Sequence, residues 1–266
     1  MSTRPSATLA RRAPTRNIKD VGSRPALTLS ARSTVAYNGP IGVNCVRVLI
    51  APKLVAISKP RCGSTSIRRA LSPFMRPDLG DIAVDLADRS PPFHPHITAP
   101  YLQYLLNERD EYKNIQFTYF ITVRNPLSML WSYYKYFKPD QKSLYNFSKG
   151  WSEDQPITFE EWLVRGRLGA HREWTSRAPS WISTSNLSTL SFEMHALDAD
   201  SHRVVDYIFP IEEPEALEAF LSERLEKRVL IRHHNKSHDA DMPSLSTDLL
   251  RRVRALFPFE STFYGV

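Results

Sequence analysis

Residues 54–71 read LVAISKPRCGSTSIRRAL, and the reading of this stretch decides the fold. Leu54, Val55, Ala56 and Ile57 form a short apolar run suited to a strand covered on both faces. Residues 58–63 are loop chemistry, with Pro60 and Gly63 as breakers. Ser64, Thr65 and Ser66 offer hydroxyls and backbone N–H groups where a helix starts. Ile67, Ala70 and Leu71 mark its apolar face, and Pro73 ends it. A strand feeding a loop and then a helix aims free N–H groups and the positive helix end at one point, which makes an anion cradle. Lys59 and Arg61 add full charges beside it. The bland alternative is an ordinary strand-to-helix turn with solvated bases. The loop is not of the GxxxxGK[ST] type, because Lys59 precedes the single Gly63 and no metal-binding hydroxyl follows a lysine.

A second constellation is VRNPLSMLWSYY, residues 123–134. It follows an apolar, β-branched and aromatic strand over 117–123. Asn125 suits a helix N-cap and Pro126 the first helical position. Leu127, Leu130, Trp131 and Tyr134 fall at i, i+3, i+4 and i+7 and predict the core stripe, with Ser132 on another face. Arg124 stands at the strand end, and its guanidinium can reach back along the helix, so Arg124 and Ser132 can grip one phosphate.

Further along, Thr158 and Glu161 make a capping box. Aromatics and arginines mingle irregularly over 139–185 (Trp151, Phe159, Trp174 and Trp181 with Arg165, Arg167, Arg172 and Arg177). That suits either an anionic or sugar-like acceptor or a peripheral subcore. A strand is predicted over 204–209. A helix follows from Pro214 with Leu217, Phe220, Leu221 and Leu225 inward, and another runs over about 246–256. Residues 76–92 read as surface loop. Strand and helix alternate, which predicts an α/β fold: a central parallel sheet flanked by helices on both faces, with its ligand at the carboxyl ends of the strands.

Composition sets the bounds. The chain has 266 residues, 42% of them apolar, enough for one sizeable core. Residues 1–45 hold seven Arg and Lys against Asp20 alone, a net +6 of the chain's +7. The basic excess therefore belongs to the N-terminal segment and gives the rest no nucleic-acid-binding character. Residues 1–42 are acid-poor and aperiodic. They read as a disordered basic tail, or as an organelle transit peptide of the same composition, with the folded domain at 43–266. Cys45 and Cys62 are the only cysteines and lack zinc spacing, which favours a reducing compartment, hence the cytoplasm. No apolar run approaches the ~20 residues that a membrane span requires.

The two constellations together resemble the donor motifs of sulfotransferases that use 3′-phosphoadenosine 5′-phosphosulfate (PAPS). K-P-x-x-G-S-T-S resembles their 5′-phosphosulfate loop, and R-N-P…S their 3′-phosphate motif, with Met129 where an arginine is frequent. The chain looks most like the carbohydrate, membrane-associated group, family 2, near the heparan-sulfate uronyl 2-O-sulfotransferases. There an H-x-H-[VI]-[ST] segment lies between the two motifs, as His94-Pro95-His96-Ile97-Thr98 does here. The resemblance implies a P-loop-like three-layer fold and His96 as catalytic base, assisted by His94. It implies donor contacts by Lys59, Arg61, Cys62, Gly63, Ser64, Thr65, Ser66, Arg124 and Ser132. Lys236 and Ser237 match a loop that closes over the nucleotide. The implied partner is a hydroxylated acceptor, a glycan first, with protein tyrosine or a small hydroxylated metabolite as alternatives. No metal is implied, and the sequence shows no ligand cluster for one. The competing class is a P-loop nucleotide-dependent kinase, which would place an acidic Mg²⁺ partner where the second strand delivers Arg124.

Overall fold

The computed structural model describes residues 44–85, 96–136, 158–168, 186–232 and 242–266. The N-terminal segment 1–42 and most of 139–185 lie outside the described residues. Within them, five strands form one sheet: β1 (Asn44–Leu49), β2 (Leu54–Ile57), β3 (Ile82–Asp85), β4 (Thr118–Val123) and β5 (Tyr207–Pro210), in the order β3-β1-β2-β4-β5.

The sheet is mixed, and the parallel sheet expected from the sequence is found only over β2, β4 and β5. Leu54 to Ile57 pair in register with Thr118 to Ile121, and Phe120 to Val123 with Tyr207 to Pro210, both parallel. On the other side β1 runs antiparallel to β2 and to β3. The cause is connection length. β1 and β2 are joined by the tight turn at 50–53, closed by the Lys53 N–H donating to Ile50 O at 3.0 Å, with Lys53 at φ 51°. A turn that short permits only antiparallel pairing, because a parallel pair needs a crossover of a dozen or more residues. β3 falls inside a stretch that reads as loop in the sequence. It is anchored by Asp81, whose carboxylate accepts from the backbone N–H groups of Ile50 and Arg76.

Helices cover both faces. α1 (Ser64–Leu71) follows β2, α2 (Ala99–Asn107) precedes β4, and α3 (Pro126–Tyr136) follows it. α4 (Phe159–Arg165) has the full capping box, with Thr158 Oγ1 accepting from Glu161 N–H and Glu161 Oε2 from Thr158 N–H. Next come α5 (Phe192–Ala196), α6 (Pro214–Arg224), α7 (Thr247–Leu256) and α8 (Pro258–Tyr264). Period-2 alternation sorts the strand residues between the faces. Val55, Ile57, Tyr119, Ile121 and Val123 pack with Leu102, Leu105 and Leu106 of α2, Phe192 of α5, and Phe259 and Tyr264 of α8. Leu54, Ala56, Phe120 and Phe209 pack with Ile67 and Leu71 of α1 and Leu217 and Leu221 of α6.

A third cluster lies away from the sheet. It joins Met129 to Tyr134 of α3 with Phe159, Trp162 and Leu163 of α4 and Val253 of α7. The expected stripe of α3 is buried at Leu130, Trp131 and Tyr134, but so are Met129, Ser132 and Tyr133. This helix therefore lies between the outer cluster and the sheet's carboxyl end, and Ser132 faces the latter.

Phe120 is fully buried at the centre of the second face, edge-on to Phe209 and Phe220 with ring centroids 6.2 and 5.8 Å away. Phe120→Ala is expected to lower unfolding free energy by about 3–5 kcal/mol in urea denaturation. A loss below about 1 kcal/mol would mean that this face is not packed as described.

Candidate functional site

β2 ends at Ile57, and the chain turns through 58–63 into α1. The turn depends on two left-handed residues, Arg61 at φ 60° and Gly63 at φ 77°. Gly63 is also closely approached, since a Cβ there would lie 2.2 Å from Ile211 Cδ1. The position thus requires glycine twice over, by backbone conformation and by space. Gly63 is the N-cap of α1 and makes no side-chain capping hydrogen bond, and the first turn holds no acidic residue. The Ser64–Ser66 end of the helix therefore presents its dipole and amides without a built-in anion.

The second motif meets this loop at the end of β4. Thr122 Oγ1 donates to Cys62 O at 2.6 Å, which fastens the loop to the strand. Arg124 donates through Nη1 to Arg61 O at 3.4 Å. Arg61 in turn donates from Nε and Nη2 to Ser132 Oγ, at 3.0 and 2.9 Å. The structure thus brings Arg61, Arg124 and Ser132 together, and it is Arg61 of the first motif whose guanidinium forks onto the serine. Asn125 caps α3 through Oδ1, which accepts from Leu127 and Ser128 N–H. These contacts place two guanidiniums and a buried hydroxyl beside the helix end.

His96 reaches the same rim. Its Nδ1 lies 2.8 Å from Ser58 O, one residue before Lys59. A carbonyl only accepts, so Nδ1 carries a proton and donates it to Ser58 O. His94, Lys236 and Ser237 lie outside the described residues.

Lys59 is not an exposed loop cation. It is 0% exposed. Its Nζ lies 2.8 Å from Glu260 Oε1 on α8, 2.8 Å from Met129 Sδ and 3.7 Å from Cys62 Sγ. Met129, which departs from the sulfotransferase pattern, thus contacts the ammonium directly. An arginine at that buried position would set a second cation against Lys59. Burial pushes the Cys62 thiol up, outweighing the lowering by Lys59, so the sulfur is a neutral neighbour and no nucleophile.

Four residues of this site were not read from the sequence. Glu260 is fully buried, and its carboxyl is pushed up by burial against the lowering by Lys59. Tyr264 donates to Glu212 Oε2 at 2.7 Å and lies 3.1 Å from Val123 O, tying α8 to the end of β4. Glu212 also accepts from Asn125 N–H at 3.0 Å. His195 on α5 is buried, with Nδ1 donating to Ser191 O at 3.0 Å. The available signal for Glu260 was its standing as the one charged residue in PFESTFY, residues 258–264. Elsewhere, Asp198, Asp200 and His202 come within 4.8 Å of one another. Asp198 Oδ1 there accepts the N–H groups of Asp200 and His202, which is turn chemistry rather than a metal site. No described helix is long and apolar enough to cross a membrane.

No known family profile, curated protein or solved structure matches this chain. The geometry therefore carries the functional argument.

Burial pushes the His195 pKa down to about 3, with Lys59 and His96 acting in the same direction and the Ser191 hydrogen bond against it. Unfolded, this imidazole binds a proton below its ordinary value of 6.5; folded, it does so only near 3. Its contribution to stability is whole above the first value and is lost as pH falls toward the second. The urea midpoint of the wild type is expected to drop over that window, and that of His195→Gln to drop less. Parallel curves would show that His195 is not buried as a neutral group.

Proposed function

We propose that this chain is a PAPS-dependent sulfotransferase that moves a sulfuryl group to an acceptor hydroxyl, that of a carbohydrate first. The observation that carries the reading is the convergence, at the carboxyl ends of β2 and β4, of an uncapped helix end, the Arg61–Ser132–Arg124 group and the His96 imidazole. Two separate cationic features suit a nucleotide that carries two separate phosphates. The residues present therefore fit this donor. In this reading the fold is a variant of the P-loop-like, three-layer class.

The donor supplies the activated sulfuryl group; the roles that follow belong to the chain. The amides at the start of α1, with the hydroxyls of Ser64, Thr65 and Ser66, hold the 5′-phosphate side. Arg124, Arg61 and Ser132 hold the 3′-phosphate, which fixes the nucleotide's register across the two strands. Lys59 lies beneath the loop and stabilises charge that grows on the leaving phosphate oxygen. His96 takes the acceptor hydroxyl proton on Nε2, while Nδ1–H, held by Ser58 O, fixes the ring. His96 is held by the carbonyl of Ser58, the residue before Lys59, so the base and the leaving-group stabiliser are both anchored at the end of β2. This suits an in-line displacement, in which proton removal and leaving-group departure occur on opposite sides of the transferred group.

The test is a set of two variants with separate readouts. His96→Ala is expected to reduce sulfate transfer to a polysaccharide acceptor by about 10²–10⁴-fold while leaving adenosine 3′,5′-bisphosphate affinity within about twofold. Arg124→Ala is expected to weaken the bisphosphate by tenfold or more, on the order of 1.5–3 kcal/mol, and adenosine 5′-phosphate little. Equal losses for both nucleotides would remove Arg124 from the 3′ end. Thermal stabilisation by ATP–Mg²⁺, with none from the bisphosphate, would replace this reading by the kinase one.

A further inference from the structure

The Lys59 ammonium has three donors and, among the described residues, one carboxylate beside it. Glu260 Oε1 lies 2.8 Å from Nζ as an ion pair, and the other near neighbours among the described residues are the sulfurs of Met129 and Cys62, which are weak acceptors. The partner is as poorly placed as the cation. Glu260 is fully buried, and neither of its carboxylate oxygens has a partner in hydrogen-bond geometry among the described residues. A buried pair satisfied this thinly gains little over its desolvation penalty, so a better acceptor for the ammonium can displace the carboxylate. The anion cradle is within reach, because Cys62, 3.7 Å from Nζ, immediately precedes the Gly63 N-cap of α1.

We propose that Glu260 is a positioning residue for Lys59: it holds the ammonium beneath the loop, an anion bound in the loop takes the ammonium over, and Glu260 takes up a proton from solvent as Lys59 leaves it. This rests on the loop being an anion cradle, as in the proposed function. The electrostatics run in the required direction. Burial raises the Glu260 carboxyl, Lys59 is the largest influence lowering it, and Glu193 on α5 raises it further. Once Lys59 moves to an anion, what remains beside Glu260 favours the neutral acid. Glu193 Oε1 already accepts from Phe259 N–H at 2.9 Å, and its Oε2 is buried without a partner, so it offers Glu260 no compensating donor. His195, the nearby imidazole of α5, is neutral at pH 7 and adds no positive charge. Cys62, on the loop side, is a neutral thiol. His96 borders the group through His195 and is held at Nδ1 by Ser58 O. Proton uptake on binding is then the signature of the handover, and a purely structural ion pair would not produce it.

The experiment is calorimetric titration of the full chain with adenosine 3′,5′-bisphosphate at pH 7, in buffers of different ionisation enthalpy. Two variants accompany the wild type. The wild type is expected to take up about one proton more per nucleotide than Glu260→Gln, with the ligand's own ionisation cancelling in the difference. Glu260→Gln, having lost the competitor for Lys59, is expected to bind several-fold more tightly. Lys59→Met guards against a Gln variant that does not fold. It leaves Glu260 as a neutral acid and is expected to lose the proton uptake and to bind more weakly. An unchanged proton count in either variant overturns the proposal. Inorganic pyrophosphate, titrated in parallel, separates the two readings. Pyrophosphate bound with proton uptake, but no binding of the bisphosphate, would reject the nucleotide and keep the latch. Bisphosphate bound with no proton difference would keep the nucleotide and reject the latch. Binding of neither anion rejects both.

Discussion

A lysine ammonium with no exposed surface needs a negative charge within contact distance, and here that charge comes from the far end of the chain. Lys59 follows β2 and Glu260 sits on α8, some two hundred residues later. The pair holds α8 against the carboxyl end of the sheet, where Tyr264 also reaches Val123 O and Glu212. Much else depends on that placement. Phe259 packs against Phe192 with ring centroids 3.8 Å apart and closes the first face of the sheet. Phe257, fully buried just ahead of α8, joins the outer cluster that includes Met129. The ion pair and the packing of Phe257 and Phe259 together set α8 beside the loop that follows β2.

The local parts of this arrangement were legible in the sequence, and the long-range parts were not. The apolar run at 54–57, the breakers Pro60 and Gly63, the Asn125-Pro126 helix start and the Thr158–Glu161 capping box each carry their meaning within a few residues, and each appears where it was read. β3 escaped because IAVD lies among turn residues and is a strand only by pairing with β1. α5 and α8 are too short to show a helical period, and α8 draws its stability from burial against the sheet rather than from propensity. Glu260 could not be matched to Lys59, because nothing local encodes a contact between opposite ends of a chain. Ser132 was set on a face apart from the core stripe. It is buried too, because α3 packs on both sides.

The two described histidines near Lys59 show how position divides one side-chain chemistry. His96 and His195 each donate from Nδ1 to a backbone carbonyl, so their tautomers agree. His96 stands half-buried at the rim of the loop that follows β2. His195 is enclosed beside Lys59, and its protonation is suppressed there. The second fills polar space without adding charge. An imidazolium at the second place would repel Lys59.

The antiparallel hairpin of β1 and β2 sets a hierarchy among the strand pairings. Leu49 meets Leu54 across a tight turn, whereas Leu54 meets Thr118 only after an excursion of more than sixty residues. Chain entropy makes closing the longer loop less favourable by about 2 kcal/mol, before any contact is counted. The hairpin is therefore the pairing with the smaller closure cost. The junction of β2 with β4, from which the loop at 58–63 departs, carries the larger closure cost. Pairing with β4 covers the edge of an apolar strand, Leu54 to Ile57, which would otherwise offer unpaired backbone groups for edge-to-edge association.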